Sequence, residues 1–328
     1  MRSSLAGSKA SRNDASDFER QLLLDEEACC ALDARLYHST RCAGAVVLPV
    51  VTIRSVTSLS PSYRHMLGVE GLTGRLDLIG GGVARLWSVA YAPPGEDRTG
   101  ALASLITTAV QEAVRRDGHA LAMSVSETDL PLFTQIDGVR AVVVAAPPHY
   151  LLETRGLTSV DEFVQQQVKD VRKVWRRDLR DAVRLRLALS VTPLSPLACA
   201  TAAPAVADTL ALNGGDGSRE LAEWRLTGYL SRPGAQLLGV VSGGGESSFL
   251  GMTVMGDVLD VHTFGMLANA SSRREHYQFM FRACTQLALD QGIAEVRFGL
   301  EHGWPKQSRG CIAVPRWRVL FSAQEVRA

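Results

Sequence analysis

The sequence predicts an α+β protein made of two tandem units, each a mixed, mostly antiparallel sheet flanked by helices. Three observations predict it. The chain has 328 residues, enough for two domains of ordinary size. Strand-like and helix-like segments alternate through both halves. The second half also holds one long run, AQLLGVVSGGGESSFLGMTVMGDVLDVHTFGML, with period-two alternation interrupted at Gly243-Gly244-Gly245 and at Gly256-Asp257. That pattern reads as three antiparallel strands joined by tight turns.

Taken in order, residues 21–39 (QLLLDEEACCALDARLYHS) have helical spacing, and RCAGAVVLPVVTIRSV reads as a strand. RLDLIGGGVARLWSVAYAPP fits two strands about the turn Gly80-Gly81-Gly82. TGALASLITTAVQEAVRRDG is an amphipathic helix closed by basic residues and Gly118. HALAMSVSET follows as a strand, DLPLFTQIDG as a short helix and VRAVVVAAPPHYLLET as a strand. The second half opens with one long helix over TSVDEFVQQQVKDVRKVWRRDLRDAVRL, capped by Thr158 or Ser159 with Glu162 completing a capping box. Strand material (LRLALSVTPL), an Ala-rich segment (PLACATAAPAVADTLAL) and the helix SRELAEWRLTGYLSR precede the three-strand run. A helix, SSRREHYQFMFRACTQLALDQG, then leads to the strand IAEVRFGL and a last strand, RWRVLF. The expected divisions are a disordered tail over 1–20, a degenerate first domain over 21–155 and a second domain over 156–328 that carries the site.

Composition narrows the function classes. With 46% hydrophobic and 21% charged residues the chain reads as soluble and globular. No apolar run approaches the roughly 18 residues of a membrane span. The N-terminal MRSSLAGSKASRNDASDFER has no apolar segment, so no secretory signal is expected and the location reads as cytoplasmic. The six cysteines (Cys29, Cys30, Cys42, Cys199, Cys284, Cys311) form no CxxC pair and suit neither zinc nor a disulfide framework. Reduced thiols fit that reading. No HExxH spacing and no GxSxG elbow occurs, so neither a metal site nor an α/β-hydrolase is expected.

Three antiparallel strands followed by a helix and a further strand is the order of the Gcn5-related N-acyltransferase fold, and the first half resembles a shorter version of it. The run ANASSRREHYQFMFRACTQLALDQGIAEVRFGLEHGWPKQSRGCIAVPRWRVL resembles the Fem-type transferases and their BioF2-like peptidoglycan-biosynthesis relatives. The shared pattern is Tyr277 opening an apolar helix, Gly292 ending it, and a strand closing on Phe298-Gly299. A loop with Lys306, Arg309 and Gly310 follows. The resemblance covers roughly residues 85–320. It implies tandem Gcn5-related acyltransferase-like domains that move an aminoacyl group from aminoacyl-tRNA to an amine, with no tightly bound cofactor. The acceptor it implies is a cell-wall precursor or small metabolite. Lys306 matches the family lysine that stabilises the developing oxyanion. Pro305 stands where better-known members carry an aromatic residue, a role that passes to Trp304. Arg309 joins the substrate-binding set.

The residues allow further assignments. A cation beside the tetrahedral oxyanion contributes about 3–4 kcal/mol. The alternative for Lys306 is a solvent-facing loop lysine. Strand alternation places Asp260, His262 and Phe264 on one face of VLDVHTFGM, where Asp260 and His262 would deprotonate the amine or simply bond each other. With Tyr277 they would line the acceptor pocket. Glu295 and Arg297 share a face of the next strand and pose the same choice, with Arg297 assigned to substrate. An acyl-CoA enzyme of this fold carries a Gly-rich turn at a helix N-terminus, whose amides cradle pyrophosphate. Here the turn is LANASSRREHYQ, without glycine, which makes acyl-CoA the alternative donor. Ser271, Arg273 and Arg274 are left as side-chain phosphate ligands.

The net charge is +1, yet residues 168–187 carry eight Lys or Arg against three Asp. At 100° per residue Val164, Val168, Val171, Trp175 and Leu179 form an apolar stripe. Lys169, Lys173, Arg176, Arg180 and Arg184 form a separate basic stripe flanked by Arg172 and Arg177. The residues allow a solvated face laced by the aspartates, a protein-binding face, or a surface for tRNA phosphates. The family resemblance points to tRNA.

Overall fold

The computed structural model describes residues 36–43, 46–59, 64–65, 67–80, 98–212, 217–228, 234–299 and 303–322. The described strands are β1 (Leu36–Ala43), β2 (Val46–Ile53), β3 (Leu76–Ile79), β4 (His119–Val125), β5 (Ala141–Glu153), β6 (Ala188–Pro193), β7 (Ala235–Val241), β8 (Ser247–Met255), β9 (Val258–Met266), β10 (Glu295–Arg297) and β11 (Ile312–Ser322). The described helices are α1 (Arg98–Arg115), α2 (Leu130–Thr134), α3 (Val160–Gln166), α4 (Lys169–Leu185), α5 (Pro196–Leu212), α6 (Arg219–Gly228), α7 (Arg273–Asp290) and α8 (Gly303–Gln307). This is an α+β fold of mixed, mostly antiparallel sheet and flanking helices. Two compact units result, one from residues 1–146 with 315–328 and one from residues 147–314. The division falls inside β5 and β11, whereas the sequence places a single boundary at 155/156.

In the first unit the strand order is β1-β2-β3-β4-β11. Its sheet is covered on both faces. Val46, Leu48, Val50, Ala120 and Ala122 meet Leu102, Ile106 and Val110 of α1, while Val51, Ile53, Leu121 and Met123 meet Leu59, Leu67 and Val69. Burial of both faces explains why residues 120–123 of β4 (ALAM) are apolar without alternation. Two sequence expectations change here. The expected strand over 41–56 is a hairpin, with Ala43 opposite Val46. The end of the expected helix over 21–39 belongs to β1, and the remainder of that helix lies outside the described residues. The second strand expected after Gly80-Gly81-Gly82 also lies outside them.

In the second unit the order is β5-β10-β9-β8-β7-β6. Strands β7, β8 and β9 are antiparallel neighbours, and β10 joins β9 in parallel after the α7 crossover. Leu238, Val240, Leu250 and Met252 face the core formed with α3, α4 and α7. Leu237 and Phe249 face the opposite core, formed with α5 and α6. The Ala-rich sequence of α5 has a packing cause. Ala202, Ala203, Ala205 and Ala207 are buried, and at Gly265 of β9 an added Cβ would lie 2.7 Å from Val206 N and 2.9 Å from Ala205 C. Helix and strand backbones therefore approach closely enough to exclude any side chain at 265.

The expected long helix over 158–185 is two helices. Ser159 Oγ accepts from Glu162 N (3.1 Å) and Glu162 Oε2 accepts from Thr158 N (2.8 Å), as the capping pattern predicts. α3 stops at Gln166, and Gln167 and Val168 are extended. Arg172 reaches back to the carbonyls of Gln165 (3.3 Å) and Gln167 (3.0 Å), replacing the hydrogen bonds that a continuous helix would make.

Gly265→Ala is expected to lower stability by about 1–3 kcal/mol in urea unfolding through overpacking. Gly71→Ala, with nothing within 4 Å of the added Cβ, should stay within about 0.5 kcal/mol.

Candidate active site

Lys306 sits on α8, a single helical turn rather than an open loop, and is only 5% exposed. A solvent-facing lysine is thereby excluded. Its ammonium donates to Gly299 O (3.2 Å) and stands 5.0 Å from the centroid of the Tyr150 ring. Gly299 O also accepts from Tyr150 N (3.2 Å). Tyr150 is packed so close to α8 that a Cβ at Gly303 would lie 2.1 Å from its hydroxyl oxygen. The glycine at 303 is what allows the tyrosine ring under the ammonium. Trp304, expected to supply an aromatic contact, is 69% exposed.

Arg309 is 1% exposed. Its Nε donates to Asp178 Oδ2 (2.7 Å), its Nη1 donates to Pro305 O (2.7 Å), and its Cζ lies 5.1 Å from the centroid of the Phe281 ring. Trp175 Nε1 donates to Arg309 O (3.1 Å). Burial raises the pKa of Asp178 and lowers that of Arg309, and their mutual attraction opposes both shifts. The guanidinium is thus committed to the protein interior, where the sequence assigned it to substrate. Arg177 leans toward the other carboxylate oxygen of Asp178 (3.4 Å). Cys311, next to this turn, has its thiol pushed up to about 12 by burial, which suits a core residue and not a nucleophile.

Tyr277 belongs to a row of aromatic rings. Phe264 and Tyr277 meet edge to face at 5.2 Å, Tyr277 and Phe281 at 5.5 Å, and Phe281 and Phe298 at 4.6 Å. The expected grouping of Asp260, His262 and Phe264 on one face does not form. Opposite β8, Thr263 pairs with Gly251 and Val261 with Met252, so His262 is the extra residue of a β-bulge. Beyond it Phe264 pairs with Leu250, while Asp260 pairs with Thr253, two positions on opposite faces of β8. Phe264 therefore faces the core containing Tyr277, and the buried Asp260 faces the other way. The His262 side chain lies outside the described residues. On β10, Arg297 Nε donates to Glu295 Oε1, so the two share a face as expected.

On α4 the buried seam is Val171, Trp175, Asp178 and Ala182. The expected apolar stripe is corrected at two positions: Val168 is 69% and Leu179 39% exposed. An acidic residue, Asp178, stands in the seam instead. Outside it, Lys169, Arg172, Lys173 and Arg176 line an open hollow of about 390 Å3 with Gln165. Lys173 approaches Asp170 (3.7 Å) and Arg184 approaches Asp181 (3.3 Å) and Glu275 (3.8 Å). Lys169, Arg176 and Arg180 have no carboxylate partner among the described residues.

The N-terminus of α7 is already occupied. Glu246 accepts from Ser271 N (2.7 Å), Ser271 Oγ (3.0 Å), Ser272 N (3.1 Å) and Ser272 Oγ. These bonds lower the Glu246 pKa to about 2. Arg273 donates to Met266 O and to Thr209 Oγ1 (2.9 Å) and lies over Phe264, while Arg274 is exposed. Ser271 and Arg273 are thereby tied to the protein itself. Sequence reasoning missed Asp178, Glu246 and Tyr150. An aspartate set among Arg176, Arg177 and Arg180 reads as part of a charged surface, and nothing local marks Glu246 or Tyr150.

Compared by sequence, the chain matches no protein-family model and no curated protein. Solved structures are similar in fold. A C-terminal domain from Agrobacterium fabrum, assigned to a lysylphosphatidylglycerol synthetase, aligns with TM-score 0.57 at 13% identity, over 95% of this chain and 92% of that one. FemX aligns with TM-score 0.56 at 12% identity, over 94% and 90%. L-PGS from Bacillus licheniformis aligns with TM-score 0.54 at 11% identity, over 99% and 95%. At these identities the likeness is one of fold.

Glu246 gives a pH prediction. Because its folded pKa is depressed, its stabilisation is complete above its ordinary value of 4.5 and is lost as pH falls through about 2. The stability difference between wild type and Glu246→Gln should be constant above about pH 5.5 and shrink steadily toward pH 2, as followed by urea midpoints.

Proposed function

We propose that the chain is an N-acyltransferase that moves an aminoacyl group from aminoacyl-tRNA to the amine of a small metabolite or cell-wall precursor. The observation that carries this reading is the buried Lys306 ammonium, fixed beside Gly299 O at the end of the Phe-Gly strand. A preorganised cation in a low-dielectric setting is the group that acyl transfer requires, because charge develops on the carbonyl oxygen as the amine attacks. The amine nitrogen bonds to the ester carbonyl carbon, the carbonyl electrons move onto oxygen, and the tetrahedral adduct collapses. The C–O bond to the tRNA ribose breaks, and the amine proton leaves to that ribose oxygen or to water. Lys306 faces the oxyanion, and Phe264 and Tyr277 offer the apolar wall of the acceptor pocket. The fold likeness to FemX, and to two proteins named for lysylphosphatidylglycerol synthesis, fits aminoacyl chemistry.

Two observations favour tRNA over acyl-CoA as donor. The helix N-terminus that would cradle a CoA pyrophosphate already holds the Glu246 carboxylate. The cations of α4 that lack carboxylate partners lie on an exposed face, where phosphodiesters can be neutralised without base readout.

Incubation with charged tRNA, acetyl-CoA and a panel of amines separates the donors. Amide product should appear with charged tRNA and vanish on ribonuclease treatment. Product that survives ribonuclease and needs the thioester would sink the tRNA reading, and no product with either donor would favour a binding module. Lys306→Gln should lower the transfer rate about 10²–10³-fold with little change in tRNA affinity. Replacing Lys169, Lys173 and Arg176 by Ala should weaken tRNA binding and flatten log K against log [salt] by about 2–3. An unchanged slope would return this face to ordinary solvated charge.

A further inference from the structure

We infer that Asp178 is a positioning residue for Lys306, acting through Arg309 and not on substrate. This rests on the reading of Lys306 as the oxyanion-stabilising group. Residues 305–311 contain a closed set of bonds centred on Lys306. Arg309 N (2.9 Å) and Cys311 N (3.1 Å) both donate to Lys306 O. Arg309 Nη1 donates to Pro305 O (2.7 Å), so both carbonyls flanking the Lys306 Cα are held from position 309 or 311. The set is anchored to α4 by Asp178, whose Oδ2 accepts from Arg309 Nε (2.7 Å) and pairs electrostatically with Nη2 (2.7 Å), and by Trp175 Nε1 on Arg309 O.

Next along the chain, Gly310 has φ +86°, and a Cβ there would lie 2.6 Å from Gln167 Oε1. The turn is therefore pressed against the α3–α4 junction as well. With its backbone held at both ends, the lysine reaches Gly299 O and the face of Tyr150.

Stability alone does not account for this pair. A buried ion pair loses hydration on both partners and can often be replaced by apolar groups without loss. What apolar groups cannot replace is the guanidinium, which links Asp178 to the carbonyl beside Lys306 through a rigid planar fork. The seam position of Asp178, flanked by Val171, Trp175 and Ala182, makes sense as the fixed end of that link.

The chain holds four lysines, Lys9, Lys169, Lys173 and Lys306, so lysine-labelled protein gives four resolvable side-chain NMR signals. In Asp178→Asn the Lys306 signal should move toward that of an exposed lysine as it leaves the Tyr150 ring, while Lys169 and Lys173 stay in place. The transfer rate should fall about 10–100-fold, with KM for charged tRNA within about threefold. A folded Asp178→Asn protein with an unmoved Lys306 signal overturns the inference, as does an unchanged kcat with only a lowered Tm. Should Asp178→Asn fail to fold, Arg309→Lys keeps the charge, loses the fork and is read by the same Lys306 signal, with a fifth lysine signal arising from position 309. Undiminished transfer by Lys306→Gln would remove the functional reading while leaving the displacement of the Lys306 signal as a separate result.

Discussion

The second unit depends on one interaction, the buried contact between Asp178 of α4 and Arg309 of the turn after α8. Two charges with 5% and 1% exposure face a desolvation cost that only near-ideal geometry offsets. Two further contacts of the guanidinium work against that cost: Nη1 donates to Pro305 O, and the Cζ group covers Phe281. Asp178 in turn has its second oxygen near Arg177. The pair ties a surface helix to the short helix that carries Lys306, and it fixes the distance between two features that sequence treats as unrelated.

This makes α4 a two-sided element. Its inner seam supports the lysine turn, and its outer face carries cations that lack carboxylate partners among the described residues. One residue serves neither purpose alone. Arg172 lines the hollow and also terminates α3 by bonding to the carbonyls of Gln165 and Gln167. The kink at Gln167 and Val168 that results is the surface on which Gly310 rests.

Strongly periodic elements were legible in the sequence. α1, α7 and the β7-β8-β9 run appear where alternation and spacing put them, because each has an apolar face long enough to outweigh local exceptions. Elements shaped by tertiary contacts were not. The break between α3 and α4 comes from a side chain five residues away, and no breaker residue marks it. The bulge at His262 reverses the facing of everything after it, so alternation placed Asp260 and Phe264 together when register separates them. Lys306 was singled out in the sequence through a resemblance, but its burial and its Tyr150 partner come from residues about 150 positions apart in the chain. Asp178 was invisible for the opposite reason. It stands in a run crowded with arginines, where any aspartate looks like surface charge, and only the buried seam distinguishes it.

The electrostatics of the second unit divide in a way that bears on the proposed donor. At the N-terminus of α7 the backbone amides of Ser271 and Ser272 and both hydroxyls converge on Glu246, which stays ionised down to about pH 2. A phosphate entering there would have to displace a carboxylate that already satisfies those donors, and would meet its negative charge if it did not. The outer face of α4 has the reverse character, with exposed side-chain cations instead of fixed amides, of which Lys169, Arg176 and Arg180 have no carboxylate partner among the described residues. Fixed amides select the shape of one anion, whereas flexible lysines and arginines accept phosphates along a polymer wherever they fall. Of the two, the N-terminus of α7 is filled by Glu246, and the outer face of α4 is the one whose cations Lys169, Lys173, Arg176 and Arg180 are exposed to solvent.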